Sequence, residues 1–334
     1  MRVAVVGVGR MGAIHAANLH RHADVTSLVV ADTDRQRAQE VARHFDVSAA
    51  DSVDEVFTSS TDAVVIAANT AAHAGLIRQA VRAGLPAFCE KPVATDLSES
   101  IQTMHEVQAE GATLQIGLMR RFDAGYRAGR ELVRSGRLGR LHTIRSVGAD
   151  PAPPPASYLS ASGGIFWDAL IHDFDLLRWI TGREVAEVYA CGSDAGPQIF
   201  AELGELDTAM ALLTMDDGML AVTTATRCNG AGYDVRMEVC GDTDTIAVGL
   251  DRRTPLTSVE PDATCPSSDP IQGFLERFAP AFEAEIDTFL QLARGDLENP
   301  CDGREAVAAL RVAEACRRSQ RERRPVRMTE IAGL

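Results

Sequence analysis

Aromatic residues are scarce in this 334-residue chain, where two Trp, four Tyr and eleven Phe make up 5% of the sequence. Apolar runs stay short, as in Ala63-Val64-Val65-Ile66-Ala67-Ala68. About 20 apolar residues are needed to span a bilayer, so no membrane span is expected. The opening Met1-Arg2-Val3-Ala4-Val5-Val6-Gly7 has too short an apolar stretch and no small-residue cleavage site for a secretory signal. Seven cysteines (Cys89, Cys191, Cys228, Cys240, Cys265, Cys301, Cys316) are scattered, odd in number and never spaced as CxxC. That spacing argues against a disulfide framework or a thiolate zinc site. They read as ordinary buried thiols of a reducing compartment, so a cytoplasmic protein is expected. Positive charge is in deficit, since 33 Lys+Arg against 47 Asp+Glu leaves −14. This disfavours nucleic acid and anionic membranes as partners.

What is present is a globular composition, 46% hydrophobic and 24% charged, without repeats, in a length that suits two domains. The expected division is 1–120 and 121–334. In the first part, β-branched runs at 2–6, 27–31, 63–68, 87–89 and 114–116 alternate with helical stretches at 11–20, 35–45, 71–83 and 98–110. Ser98 is the expected cap of the last of these. Such alternation predicts a parallel sheet with helices on both faces. The second part reads differently. A helix over 121–135 and a strand over 141–147 precede a proline-rich loop, and one helix is expected over 165–180. Strands follow at 184–190, 208–215, 219–226, 235–240 and 245–248. Turns at Asp216-Asp217-Gly218 and Gly241-Asp242-Thr243-Asp244 predict hairpins and an antiparallel sheet. Residues 252–269 read as a loop, and helices over 282–293 and 305–320 are expected to pack back on the body, the latter on the first domain.

Gly7-Val8-Gly9-Arg10-Met11-Gly12 matches GxGxxG between a strand and a helix, the context in which such a loop cradles a pyrophosphate. Asp32 ends the second strand, where a carboxylate would grip ribose hydroxyls and repel a 2′-phosphate. NAD is therefore expected rather than NADP, with Arg35 the basic group able to offset that repulsion. Asn69 and Thr70 lie at the carboxyl end of the next strand, as cofactor contacts or as a helix cap. His73, one turn on, is a cap-region histidine or a catalyst.

Glu90-Lys91-Pro92 follows the strand at 87–89. Its lysine is either a surface residue or an ammonium poised beside a positively charged nicotinamide, where its acidity would be readily perturbed. In Gly163-Gly164-Ile165-Phe166-Trp167-Asp168-Ala169-Leu170-Ile171-His172-Asp173-Phe174-Asp175, a helix would set Asp168, His172 and Asp175 on one stripe along an otherwise apolar element. Buried carboxylates and an imidazole need partners or a ligand. The stripe can be a general base with its tuning carboxylates or a satisfied core pair. A metal site lacks further clustered ligands, and none is expected.

With Gly117-Leu118-Met119-Arg120-Arg121-Phe122-Asp123, these segments resemble the glucose–fructose oxidoreductase/inositol dehydrogenase (Gfo/Idh/MocA) family over essentially the whole chain. Asp150-Pro151 and Gly232-Tyr233-Asp234 make the inositol 2-dehydrogenase branch the most similar. The resemblance implies an α/β protein, with an N-terminal Rossmann dinucleotide-binding domain. A C-terminal α/β domain with a large, mostly antiparallel open sheet would follow, serving ligand contacts and oligomerisation. It implies a catalytic group of Lys91, Asp168 and His172, and a cis Lys91-Pro92 bond. Cofactor contacts are expected from Gly7, Gly9, Arg10, Met11, Gly12, Asp32, Arg35, Asn69, Thr70, His73, Glu90 and Lys91. Arg120, Asp150, Asp175 and Tyr233 match polyol contacts. The chain departs from that branch at Ala149, Trp167, Ala169 and Leu170, where polar or basic residues often stand, so a deoxy sugar, an aminocyclitol or another sugar is an alternative substrate. A non-catalytic dinucleotide-binding sensor is the alternative from another class.

Overall fold

Strand β1 (Arg2–Val6) is followed by α1 (Arg10–Arg21), β2 (Ser27–Ala31), α2 (Arg35–Phe45), β3 (Ser48–Ala49), β4 (Ala63–Ile66), α3 (Thr70–Arg82), β5 (Ala87–Glu90), α4 (Leu97–Ala109) and β6 (Leu114–Gly117). The structure is a computed structural model describing residues 1–58, 60–261 and 269–332. Cys265, and residues 262–268 of the expected loop, lie outside the described residues. The six strands form one parallel sheet in the order β3-β2-β1-β4-β5-β6. That is the doubly wound arrangement, whose ligands bind at the carboxyl ends of the strands. Its central strands are apolar throughout because helices cover both faces, as the four buried residues of β4 illustrate.

The chain forms two compact units. The first comprises the described residues of 1–122 and 280–308, and its core joins Val3, Val5, Val30, Val65 and Phe88 to Ile286, Phe289 and Leu290. The latter three lie on the long helix α10 introduced below. Helix α4 starts one residue before Ser98, so Asp96 is its cap and accepts from the Glu99 amide at 2.9 Å. A carboxylate at that position also meets the positive end of the helix.

The second unit comprises the described residues of 123–279 and 309–332. It contains α5 (Ala124–Arg134), β7 (Leu141–Ala149), α6 (Ala156–Leu159), α7 (Ile165–Asp168), α8 (Ile171–Thr181), β8 (Val185–Ser193), α9 (Gln198–Leu203), β9 (Thr208–Met215), β10 (Leu220–Thr226), β11 (Asp234–Gly241) and β12 (Thr245–Val248). Helices α10 (Phe274–Arg294) and α11 (Gly303–Glu322) each contribute to both units, and β13 (Val326–Arg327) ends the series. Seven strands pair in the order β12-β11-β7-β10-β9-β8-β13, antiparallel except where β7 meets β10. Both hairpins form where the turn residues stand. The parallel sheet and the mostly antiparallel one are the two sheet types that the sequence predicts.

A further expectation fails. The single helix over 165–180 is two helices, broken at Ala169-Leu170. Leu170 N reaches back five residues to Ile165 O at 3.0 Å, and Asp173 N then closes a tighter turn on Leu170 O at 3.0 Å. The wide turn ends α7 at Asp168, which therefore does not share a helix with His172. Among the described residues, no helix is long and apolar enough to cross a membrane.

Candidate active site

On the first unit the glycine fingerprint is built as its chemistry requires. Gly7 has φ +84°, and a Cβ there would lie 2.4 Å from Ala68 Cα; one on Gly12 would lie 1.8 Å from Gly7 O. Only glycine fits either position. A Cβ on Gly9, in contrast, would meet nothing within 4 Å. This open side faces the start of α1, whose first turn carries no acidic residue and whose cap makes no side-chain hydrogen bond. Its first amides present partial positive charge, which fits a pyrophosphate. Exposed Arg10 and half-buried Met11 occupy the same turn.

Asp32 accepts from Val8 N and from Asp34 N, both at 2.8 Å, and so ties the end of β2 to the fingerprint loop. Arg35 is turned away into an ion pair with Asp51. Arg37 is the cation that stands near Asp32, at 3.7 Å, and Asp34, at 3.3 Å. The helix sets this choice, because Arg35 opens α2 on the β3 side and Arg37 returns toward the cap. Asn69 is the N-cap of α3 without a side-chain cap bond, and Thr70 is the first helical residue. His73 is 1% exposed, with Nδ1 2.7 Å from Pro92 O and Nε2 3.1 Å from Ala68 O. It ties the loop after β4 to the loop after β5. In the second of those loops the Lys91-Pro92 peptide is cis.

Composition holds a signal that motif reading passes over. Lys91 is the only lysine in the chain, the remaining 33 − 1 = 32 basic residues being arginine. Its neighbour Glu90 is held by the buried His15, with Nε2 2.7 Å from Oε1. Arg120 is 5% exposed in the turn after β6.

On the second unit, Asp168 is gripped from two sides. Its Oδ2 pairs with the Arg227 guanidinium at 2.9 Å and its Oδ1 accepts from the Tyr158 hydroxyl at 2.7 Å. The Arg227 side chain is 3% exposed and that of Asp168 11%, so this is a nearly dry ion pair. Glu205 stands close by. Burial pushes its carboxyl up from the ordinary range, while the Arg227 charge opposes that and the Asp168 charge adds to it. Sequence reading missed Arg227, Tyr158 and Glu205, which enter from other elements. On α8, His172 and Asp175 are both buried, and Asp173 between them takes the Ser146 hydroxyl. Asp150 caps the β7 edge, its amide on Thr226 O and its carbonyl receiving Asn229 N, both at 2.8 Å. Tyr233 is buried just before β11, its amide on Ile271 O at 2.9 Å.

A doubly wound sheet with a glycine-lined helix start and an acidic residue at the end of β2 defines an NAD-binding oxidoreductase. Residues 1–118 match the family model described as oxidoreductase family, NAD-binding Rossmann fold, and residues 126–247 match the GFO/IDH/MocA C-terminal domain. The chain belongs to the Gfo/Idh/MocA oxidoreductase family. It is 38% identical to a myo-inositol dehydrogenase of Streptomyces leeuwenhoekii, covering 96% of this chain and 97% of the relative. It is 34% identical to the myo-inositol 2-dehydrogenase of Thermotoga maritima over the full length of both. Among solved structures, scyllo-inositol dehydrogenase of Lactobacillus casei with bound NAD(H) and scyllo-inositol superposes with a TM-score of 0.88. The two are 28% identical, over 98% of this chain and 99% of that one.

Proposed function

We propose that the chain is an inositol 2-dehydrogenase-like enzyme, oxidising one secondary alcohol of a cyclitol to the ketone with NAD. The observation that carries this reading is the single lysine of the chain, standing just past the carboxyl end of β5. In this reading Lys91, Asp168 and His172 serve one substrate. His172 takes the hydroxyl proton as general base, the task for which imidazole acidity suits neutral pH. Lys91 donates a hydrogen bond to the same oxygen and stabilises its developing negative charge. Asp168, fixed by Arg227 and Tyr158, orients the pair. Bound NAD supplies the hydride acceptor, and the protein contributes geometry and electrostatics. Arg120, Asp150, Asp175 and Tyr233 are proposed to meet the ring hydroxyls. Gly9, Arg10, Met11, Asn69, Thr70, His73 and Glu90 are proposed to line the cofactor, with Asp32 on the adenosine ribose favouring NAD over NADP.

The working form is a homo-oligomer, proposed as a tetramer, in the cytoplasm. Supporting the first point, the outer rows of the second sheet expose Tyr189, Met210, Leu212 and Leu220 across β8, β9 and β10. A contiguous apolar face is costly in water and is the natural seat of a second copy. The six described cysteines are free, as a reducing compartment would leave them.

A panel of cyclitols, deoxy sugars, aminocyclitols and aldoses, offered with NAD or NADP and followed by reduced-nicotinamide absorbance, tests this reading. Turnover is expected with an inositol and NAD. Turnover confined to aldoses would move the substrate class, and NAD binding without any turnover would favour a sensor.

A further inference from the structure

The long helix α10 carries an acid that the reaction above does not use. Glu285 is 0% exposed, and neither carboxyl oxygen meets a hydrogen-bond partner among the described residues. It lies in the first unit, among side chains from three other elements. From β6, Gln115, also 0% exposed, donates from Nε2 to the Glu285 backbone carbonyl at 3.1 Å and leaves Oε1 without a partner. From β5, Glu90 is near enough for its charge to act on Glu285, and Cys89 feels the same charge. From α1, His15 holds Glu90 through Nε2 while its own Nδ1 has no partner. His15 also stands edge-on to Phe88 and to Phe282, one turn before Glu285.

A buried carboxylate without donors is costly, and a second negative charge nearby raises the cost. Burial first, and the Glu90 charge second, therefore hold Glu285 protonated well above the ordinary glutamate range. Glu90 has His15 on one oxygen and partial access to solvent. It ends β5, one residue before Lys91, at the carboxyl edge of the sheet, where doubly wound folds bind their ligands.

We propose that the buried Glu285 carboxyl holds one exchangeable proton that makes cofactor binding proton-linked and sensitive to redox state. The oxidised nicotinamide ring is positive and the reduced ring neutral. A positive ring docking at this edge stabilises a negative charge on Glu285, which then gives up part of its proton. A neutral ring leaves the proton in place. By linkage, affinity for NAD⁺ rises with pH by up to about tenfold per pH unit, the limit for one linked proton. Affinity for NADH stays flatter. This rests on the dehydrogenase reading above, but only on its cofactor side.

Calorimetric titration with NAD⁺ and with NADH, in two buffers of different ionisation enthalpy, measures the protons released. Wild-type protein should release a larger fraction of a proton with NAD⁺ than with NADH, and Glu285→Gln should remove that excess. Equal release with the two cofactors in the wild type overturns the proposal without any variant, as does an unchanged excess in Glu285→Gln. The lone lysine supplies a further discriminator. In protein labelled with [ε-¹³C]lysine, one resonance reports Lys91. If that resonance titrates across the same pH range as the excess release, the proton comes from Lys91 and the proposal fails. Absence of binding by either cofactor would instead refute the dehydrogenase reading itself.

Discussion

At the residue scale, motif spacing made some roles legible and hid others. The glycines, Asp32 and Lys91 are neighbours in sequence of the elements they serve, so their context could be read directly. Arg227 could not be, because it lies 59 residues from Asp168 and only the sheet brings the two together. Arg37 was hidden differently. Two arginines follow Asp34, and which one returns toward Asp32 depends on where α2 begins. The Asp168–Arg227 pair yields a concrete expectation. Arg227→Met leaves a nearly buried carboxylate without its cation, which costs about 3–5 kcal/mol of stability. If Arg227 positions Asp168 for the reaction, kcat also falls by roughly 10²-fold. Arg227→Lys should then recover turnover further than it recovers melting temperature, since charge returns without the planar fork. Paired melting curves and kcat values for both variants check this, and turnover unaffected by either change would make the pair purely structural.

Among the secondary-structure elements, periodicity named most strands and helices but not the break in the middle of 165–180. Every residue around Ala169-Leu170 is helix-compatible, so no local signal marks the wide turn that sends Asp168 toward Arg227 while His172 rides on α8. Helix α10 shows the converse. As a sequence it is an ordinary amphipathic helix, and nothing local distinguishes Glu285 from its solvated neighbours Glu276 and Glu283. Only packing against β5 and β6 makes it an acid without partners. Its raised pKa has a stability consequence. The folded state holds this proton more tightly than the unfolded chain, whose glutamates titrate near 4.5. Glu285 therefore favours folding fully below that pH, and its contribution is lost as pH rises toward the folded-state value. Gln cannot titrate, so Glu285→Gln should lose less melting temperature than wild type between pH 5 and pH 8, by a few degrees. Parallel curves for the two proteins over that range would show that Glu285 does not hold its proton in this way.

For the whole molecule, alternation sufficed for the two sheet types, and the motif segments carried the resemblance to the family. What they could not supply was the bare face of the second sheet. Alternating strands look alike whether their outward residues meet water or another subunit, and only the cross-strand register groups the exposed ones. Tyr189 pairs with Leu212, and Leu212 with Val222, while Arg145 and Glu238 form an ion pair farther along the same sheet. Light scattering should find an oligomer at micromolar concentration, and Leu212→Glu, placed at the centre of the apolar row, should shift it toward monomer. A clean wild-type monomer would leave that face without a role.

The central claim, hydride removal assisted by His172 and Lys91, is tested most directly by kcat and melting temperature measured on the same samples of wild type, His172→Ala and Lys91→Met. With an inositol and NAD, each variant should lose roughly 10²–10⁴ in kcat. Both should melt close to wild type and still bind NAD, because the glycine loop and Asp32 are untouched. Near-normal kcat in a folded His172→Ala protein would contradict the account.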